Sequence, residues 1–367
     1  MGLLFTMPQS GGKERTLQLN FGVETVEAHL PAEWHPQSLV QLTWPHAGTD
    51  WAPMLDEADD CYVRLATAIA AREPLLIVTP EAERVKRLLY NKVDEARVTY
   101  LTCPTNDTWA RDHAFLTMLT EQGPLLLDFC FNGWGLKFAA DKDNQINARL
   151  FASGLLRGAY RNCLDFVLEG GSVESDGLGT LLTTSSCLLA PNRNDTRTRR
   201  DIEEHLTSLF HLRQVLWLDH GHLAGDDTDG HIDTLARLCP HDTIAYVRCT
   251  DSADEHFADL RLMEEQLRTF RTPDGRPYRL LPLPLPAPIV CDGERLPATY
   301  ANFLIMNDAV LLPTYAQPAK DAEAADVLRD AFPEREIVPV DCRALIRQHG
   351  SLHCATMQYP AGCFPND

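Results

Sequence analysis

No two cysteines in this 367-residue chain stand in a C-x-x-C arrangement, and the closest pair, Cys354 and Cys363, is nine residues apart. Eleven scattered cysteines, an odd number, do not make a disulfide framework. A chain of this length can bury a core without such staples. Reduced, mostly buried thiols of a cytoplasmic protein are the expectation. Long apolar runs are also missing. Stretches such as 75–78 and 310–313 are strand-length, far below the roughly 20 residues of a membrane-spanning helix. Residues 1–7 are apolar but have no basic flank and no long apolar core, so they do not read as a signal peptide. We expect 1–28 to be a loose leader and 29–367 a single catalytic domain, its fold beginning near Leu30-Pro31-Ala32-Glu33-Trp34. Positive charge is scarce: 33 Lys and Arg stand against 52 Asp and Glu, a net charge of −19. That field repels phosphate backbones and anionic lipid, which argues against nucleic acid and membrane as partners. It attracts small cations, although a merely solvated acidic surface gives the same sum. A second copy of the chain, in a homodimer, is the macromolecular partner left as an expectation.

The composition that remains, 44% apolar and 23% charged, is that of an ordinary globular protein. Five segments carry a helical stripe. Three are marked by Ile202, Leu206, Leu209 and Phe210; by Leu260, Met263 and Leu267; and by Ala324, Val327, Leu328, Ala331 and Phe332. Two more lie at about 54–72 and 144–157. Apolar runs at 75–78, 125–129, 180–184, 243–247 and 309–313 flank them, as expected for strands covered on both faces. Several pair across polar turns, for example 303–306 with 309–312 and 232–238 with 243–247. The unit is strand, turn, strand, helix, strand, and it recurs about every 60 residues.

The polar residues that open these hairpins carry more information. They are Asp112, Glu169, His231 with Asp233, Asn302 and Cys354, spaced 57, 62, 71 and 52 residues apart. Placed alike in each unit, they would converge if small sheets closed into a ring. Asn302 taken alone reads as an ordinary turn residue. Asp176, in Asp176-Gly177-Leu178-Gly179, reads as a hairpin turn.

A metal site fits poorly. Aligning Gly230 with the obligatory turn glycine of a calcium loop puts Gly225 and Ala236 at ligand positions. His220, His222, His231 and Asp233 are near in sequence but lack zinc spacing. There is no G-x-S-x-G elbow and no P-loop. A cysteine with a distant histidine and carboxylates is a recognised nucleophilic set. Cys354 falls in phase with the acidic and histidine positions. His353 adjoins it, but neighbouring side chains in extended chain point apart, so His231 is the better base. A thiol, a histidine and three carboxylates suit a planar cation, which carboxylates grip bidentately and an indole can stack upon.

At these residues a resemblance becomes specific. Trp109-x-Arg111-Asp112, Glu169-Gly170-Gly171 with Asp176-Gly177-x-Gly179-Thr180, Gly230-His231-Ile232-Asp233, and His353-Cys354-x-Thr356-x-Gln358 resemble the agmatine deiminase family. That family is grouped with porphyromonas-type peptidylarginine deiminases in the guanidino-modifying superfamily. The resemblance spans about residues 30–360. It implies an α/β fold, a five-bladed pseudo-symmetric α/β-propeller (pentein) with a central active site, and no metal or organic cofactor. It further implies Cys354 as nucleophile, His231 as general acid/base, and Asp112, Glu169 and Asp233 as the guanidinium grip. Trp109 would line the pocket, and we add the acidic-loop residue Asp227 as substrate-binding. Two departures touch loop shape near the site: Ala114-Phe115 replace a Gly-Pro type pair, and His349-Gly350-Ser351 replace consecutive glycines.

The implied activity is hydrolysis of agmatine, a small cationic guanidino substrate, to N-carbamoylputrescine and ammonia. One alternative is a deiminase of free arginine or of a peptidyl C-terminal arginine, for which Lys137 and Arg193 are candidate carboxylate partners. An alternative of another class is a polyamine-binding module without turnover.

Overall fold

A computed structural model describes residues 28–364. The leader expected at 1–28 therefore lies, apart from Ala28, outside the described residues. Five sheets share one plan: an antiparallel pair of strands, then a helix that returns the chain to a third strand parallel to the second. The first joins Leu116–Thr120, Gly123–Cys130 and Ala159–Val167. The second joins Val173–Ser175, Thr180–Thr184 and Gln214–Leu218. The third joins Ala236–Cys239, Thr243–Arg248 and Arg279–Pro284, and the fourth Leu304–Ile305, Ala309–Thr314 and Glu336–Asp341. The fifth uses both ends of the fold: Thr356–Pro360 runs antiparallel to Gln37–Thr43, which is followed in parallel by Leu75–Thr79 and Val98–Thr102. The fold is thus mixed α/β.

The apolar stripes explain why these segments are helices. Arg199–Phe210 buries Ile202, Leu206, Leu209 and Phe210, and its start is fixed by a capping box in which Thr198 and Asp201 exchange side-chain and backbone hydrogen bonds. Leu55–Ala70, Phe257–Leu267 and Pro318–Ala331 bury their stripes likewise. Two sequence expectations are corrected. The helix placed at 144–157 is Ile146–Ser153, closed by Gly154 at φ +71 after a 3-10 turn at Asp143–Gln145. The strand expected from 232 starts only at Ala236, because Ile232–Thr234 form a 3-10 turn. Nine of the eleven cysteines are buried. Among the described residues no helix is long and apolar enough to cross a membrane.

Candidate active site

Each sheet is entered through a short turn, and each turn carries one of the phased polar residues. Asp112 lies in the helical turn Ala110–His113 ahead of the first sheet. Glu169 precedes the turn Gly170–Ser172 ahead of the second. His231 opens Ile232–Thr234, which holds Asp233, ahead of the third. Asn302 stands two residues before Leu304–Ile305, and Cys354 two before Thr356–Pro360. All six are buried, Glu169, His231, Asp233 and Asn302 completely.

These residues meet. His231 Nδ1 lies 3.6 Å from Asp112 Oδ1 and its Nε2 3.9 Å from Glu169 Oε2. Asp112 Oδ1 accepts from Gly171 N at 3.0 Å and Oδ2 from Trp134 Nε1 at 2.9 Å. Asp233 Oδ2 accepts from His353 Nδ1 at 2.7 Å and stands 3.7 Å from Cys354 Sγ. Asn302 Nδ2 donates to Cys354 Sγ at 3.2 Å, and Cys354 N donates to Asn302 Oδ1. Asn302 is therefore part of the site and not an isolated turn residue. His231 Nδ1 and Nε2 and Asp233 Oδ1 are buried without hydrogen-bond partners in the protein, and buried polar atoms of this kind call for a polar partner.

Two glycines let the chain pass this close. A methyl group on Gly171 would stand 2.6 Å from His231 Nδ1, 2.8 Å from Asp112 Oδ1 and 3.1 Å from Asp233 Oδ2. One on Gly350 would enter the Trp109 ring at 2.3 Å. The single glycine at 350 thus supplies the closest approach in a loop that has no glycine run.

The electrostatics follow from burial among carboxylates. Burial, with Asp233 and Asp112 alongside, pushes the Cys354 thiol well above the usual thiol range, and Ser351 and Asn302 only partly offset this. For His231 burial favours the neutral ring, but Asp112, the Cys187 thiol and Glu169 outweigh it and hold the ring protonated well above its ordinary range. Burial raises the Asp112 carboxyl against the pull of His231. Asp233 goes the other way: burial opposes ionisation, and His353, His231 and Arg237 overcome it.

Glu169 differs from the sequence expectation in its surroundings. Both its oxygens lie 3.0 Å from Arg193 Nε, and both side chains are fully buried. Arg193 also binds Asp229 Oδ2 at 2.6 Å and the Thr228 carbonyl at 2.8 Å. Lys137 Nζ is spent on Asp229 Oδ1 at 2.8 Å and the Asp227 carbonyl at 2.6 Å. Above the buried residues opens a cavity of about 100 Å³ lined by Asp112 and Cys354 at its floor. Trp109, Trp134 and Phe138 form apolar walls, and Asp50, Asp107 and Asp227 add carboxylates, with His349 beside them. Among the described residues no Lys or Arg lines it. Burial raises both Asp107 and Asp227 to about 6, the neighbouring His349 and Lys137 restraining the latter.

As metal ligands, Glu169, Cys187 and His231 offer atoms within 4.8 Å of one another, as do Glu33, Glu174 and His353. Arginine already occupies the carboxylates of both groups. His220 and His222 belong to neither group, and His220 faces Asp259 at 3.9 Å. Asp176 forms a turn, its Oδ1 accepting from Leu178 N and Thr180 N.

Sequence reasoning missed Glu33, Asp50 and Asp107, read Asn302 taken alone as a turn residue, and set His353 aside as the base although it stands in the Cys354 motif. Glu33 carried no motif signal, since its partners Arg237 and His353 lie 204 and 320 residues away in sequence.

Comparison with known proteins gives a consistent set. The profile of the Porphyromonas-type peptidyl-arginine deiminase family matches residues 29–360. A protein of Shewanella sp. (strain MR-7) named "Putative agmatine deiminase" is 32% identical, covering 91% of this chain and 94% of its own. A Porphyromonas gingivalis structure described as "Putative Arginine Deiminase" is 52% identical, with a TM-score of 0.87 over 92% of this chain and all of its own. The agmatine deiminase of C. jejuni, solved as a cysteine-to-serine variant with substrate bound, is 36% identical, with a TM-score of 0.87 over 94% of this chain and 99% of its own.

Proposed function

The chain belongs to the Porphyromonas-type peptidyl-arginine deiminase family, and from that premise we propose that it is an agmatine deiminase, a hydrolase acting on the C–N bond of a linear amidine. The observation that carries the choice of substrate is the cavity lining. Asp112 sits at the floor beside Cys354, Asp50, Asp107 and Asp227 line the walls, and among the described residues no Lys or Arg joins them. Such a lining suits a molecule with a cation at both ends. Arg193 and Lys137, the cations that could answer an α-carboxylate, are already committed to Glu169 and Asp229.

In this reading Asp112 and Asp233 grip the guanidinium and Trp109 lines the pocket. Glu169, anchored by Arg193, bears on the reaction through His231. The arriving cation lowers the Cys354 thiol, whose proton passes to the solvent of the pocket. The thiolate adds to the guanidinium carbon. Protonated His231 delivers its proton to the departing nitrogen, which leaves as ammonia, and an amidino-thioether remains on Cys354. His231, now neutral, takes a proton from water. The hydroxide adds to the same carbon, the C–S bond breaks as the hydroxyl proton passes to the departing sulfur, and N-carbamoylputrescine is released with the Cys354 thiol restored. No metal or organic cofactor enters, so exhaustive EDTA treatment should leave ammonia release unchanged.

The same residues support two structural readings. Residues 29–367 form one catalytic domain. The five sheets are the blades of a five-bladed pseudo-symmetric propeller, since each sends one entry residue to a common point. A cytoplasmic setting, a homodimer, and no nucleic-acid or membrane partner complete the proposal.

The P. gingivalis relative's name, an arginine deiminase, and the family's, a peptidyl-arginine deiminase, favour a second reading, a deiminase of free or C-terminal arginine. The deciding experiment is ammonia release from agmatine, arginine and a peptide ending in arginine. We expect agmatine to lead by at least about tenfold in kcat/KM, equivalent to about 1.4 kcal/mol. A preference for either arginine substrate would overturn the substrate and leave the Cys354 chemistry standing. Asp112→Asn and Asp233→Asn should each cost about 2–5 kcal/mol in kcat/KM, as when one partner of a buried charge pair is lost. Activity within threefold of wild type would remove that carboxylate from the grip.

A further inference from the structure

His353 takes no part in the scheme above. Its ring lies behind Asp233, with Nδ1 2.7 Å from Asp233 Oδ2 and Nε2 2.8 Å from Glu33 Oε2. Beyond it, fully buried Arg237 sets Nη2 2.7 Å from Glu33 Oε2 and Nε 2.5 Å from Glu174 Oε1. Arg237 Nη1 donates to the carbonyls of Ala301 and Phe303, and Glu33 Oε1 accepts from Ile305 N at 2.6 Å. Carboxylates and nitrogen-bearing side chains therefore alternate from the pocket inward: Asp233, His353, Glu33, Arg237, Glu174.

We propose that His353 is a positioning residue: by holding Asp233 Oδ2 from Nδ1 it turns Oδ1 of that carboxylate toward the guanidinium, and Glu33, gripped by Arg237, fixes the ring that does so. The inference rests on the reading of Asp233 as a guanidinium ligand.

The two oxygens of a carboxylate are chemically alike, and only a one-sided partner distinguishes them. Here Oδ2 is taken and Oδ1 is buried without a partner. The same contact favours the ionised form. The groups facing Asp233 are His353, His231, Arg237, Arg111, Asp112 and the Cys354 thiol. Those facing His353 are Asp233, Glu33, Glu174 and Arg237. Burial resists ionisation of Glu33, but Arg237 and then His353 hold it well below the usual carboxylate range, so the outer anchor stays charged. Removing the imidazole leaves Asp233 buried near Asp112 with its principal partner gone. Its proton is then held more tightly, and the acid limb of activity moves to higher pH.

Asparagine and glutamine at 353 separate positioning from packing. The Asn amide reaches the place of Nδ1 and keeps a donor on Asp233. The Gln amide reaches the place of Nε2 and does not, although its length fits the vacated space better. We expect His353→Asn to retain kcat/KM within about tenfold. His353→Gln should lose at least about thirtyfold and carry its acid limb up by about one pH unit or more. Gln performing as well as Asn, or an unmoved acid limb, would overturn the proposal. Should either variant fail to fold, Glu33→Gln takes its place, with an upward shift of the acid limb expected and an unmoved limb overturning. In a Cys354→Ser background, the agmatine Kd from calorimetry repeats the comparison without turnover. If that order of affinities holds while the wild type releases no ammonia, the functional reading fails and the positioning stands. If the wild type turns over and the order is absent, the positioning alone fails.

Discussion

Burial beside Asp233 and Asp112 pushes the Cys354 thiol well above the usual range, so it keeps its proton until a positive ligand arrives. In the ligand-free protein, alkylation of Cys354 by iodoacetamide should be slow at pH 7 and rise about tenfold per pH unit through the ordinary thiol range. Mass spectrometry of the labelled peptide measures this, and fast, pH-independent labelling would contradict it. Cys354→Ser should fold and bind but not turn over. The outer carboxylates give a second pH effect of opposite origin. Asp107 and Asp227 are raised to about 6, so below that pH they are neutral and hold a cation poorly. KM for agmatine should therefore fall as pH rises through about 6. Asp227→Asn should flatten that change, and an unaltered pH profile in the variant would remove Asp227 from the subsite. Cys354, His231, Asp112 and Glu169 were legible as a candidate group because each falls at the same place in a repeat. Glu33 was not, because its role comes from contacts with Arg237 and His353, 204 and 320 residues away in sequence.

Among the elements, the segment after the second strand of the first sheet is unusual. Gly133, Trp134, Gly135 and Leu136 all have positive φ, at 69°, 55°, 81° and 66°. Four successive left-handed residues cost about 1–2 kcal/mol for each that is not glycine. Asn132 holds the turn, its Oδ1 accepting from Gly135 N while its Nδ2 donates to the Asn192 carbonyl. The turn delivers Trp134 to Asp112 and Lys137 to the Asp227 carbonyl, so strain is kept where two ends of the pocket must be spanned. Leu136 is 69% exposed and has little packing to lose. Leu136→Gly should hold or raise stability by up to about 1 kcal/mol, read as an unchanged or higher Tm. A clear drop would mean that the side chain contributes contacts. The helices and sheets were legible from apolar spacing, which is a property of the letters. This turn was not, since Phe131-Asn132-Gly133-Trp134-Gly135 shows two glycines but not that the residues beside them share their backbone hand. The helix end at Gly154 and the turn at Ile232–Thr234 escaped for a related reason: local backbone geometry there overrides a continuing apolar pattern.

For the whole molecule, the net charge of −19 and the acidic cavity act in the same direction on a cationic substrate. KM for agmatine should rise as salt is raised from about 10 mM to 0.5 M, since the screening length shrinks across that range. An unchanged KM would confine the attraction to contact distances. The pairing of Thr356–Pro360 with Gln37–Thr43 has another consequence, one of timing. On the ribosome the strand 37–43, buried along its whole length in the finished protein, is made early, and its closing neighbour is made about 300 residues later. At about 5–20 residues per second, one apolar edge stays open for roughly 15–60 s. During that interval the nascent chain carries an exposed β edge, and Cys354, the proposed nucleophile, has not yet been synthesised. Closure of the last sheet and completion of the pocket therefore come together, since Cys354 is made just ahead of the strand that closes it.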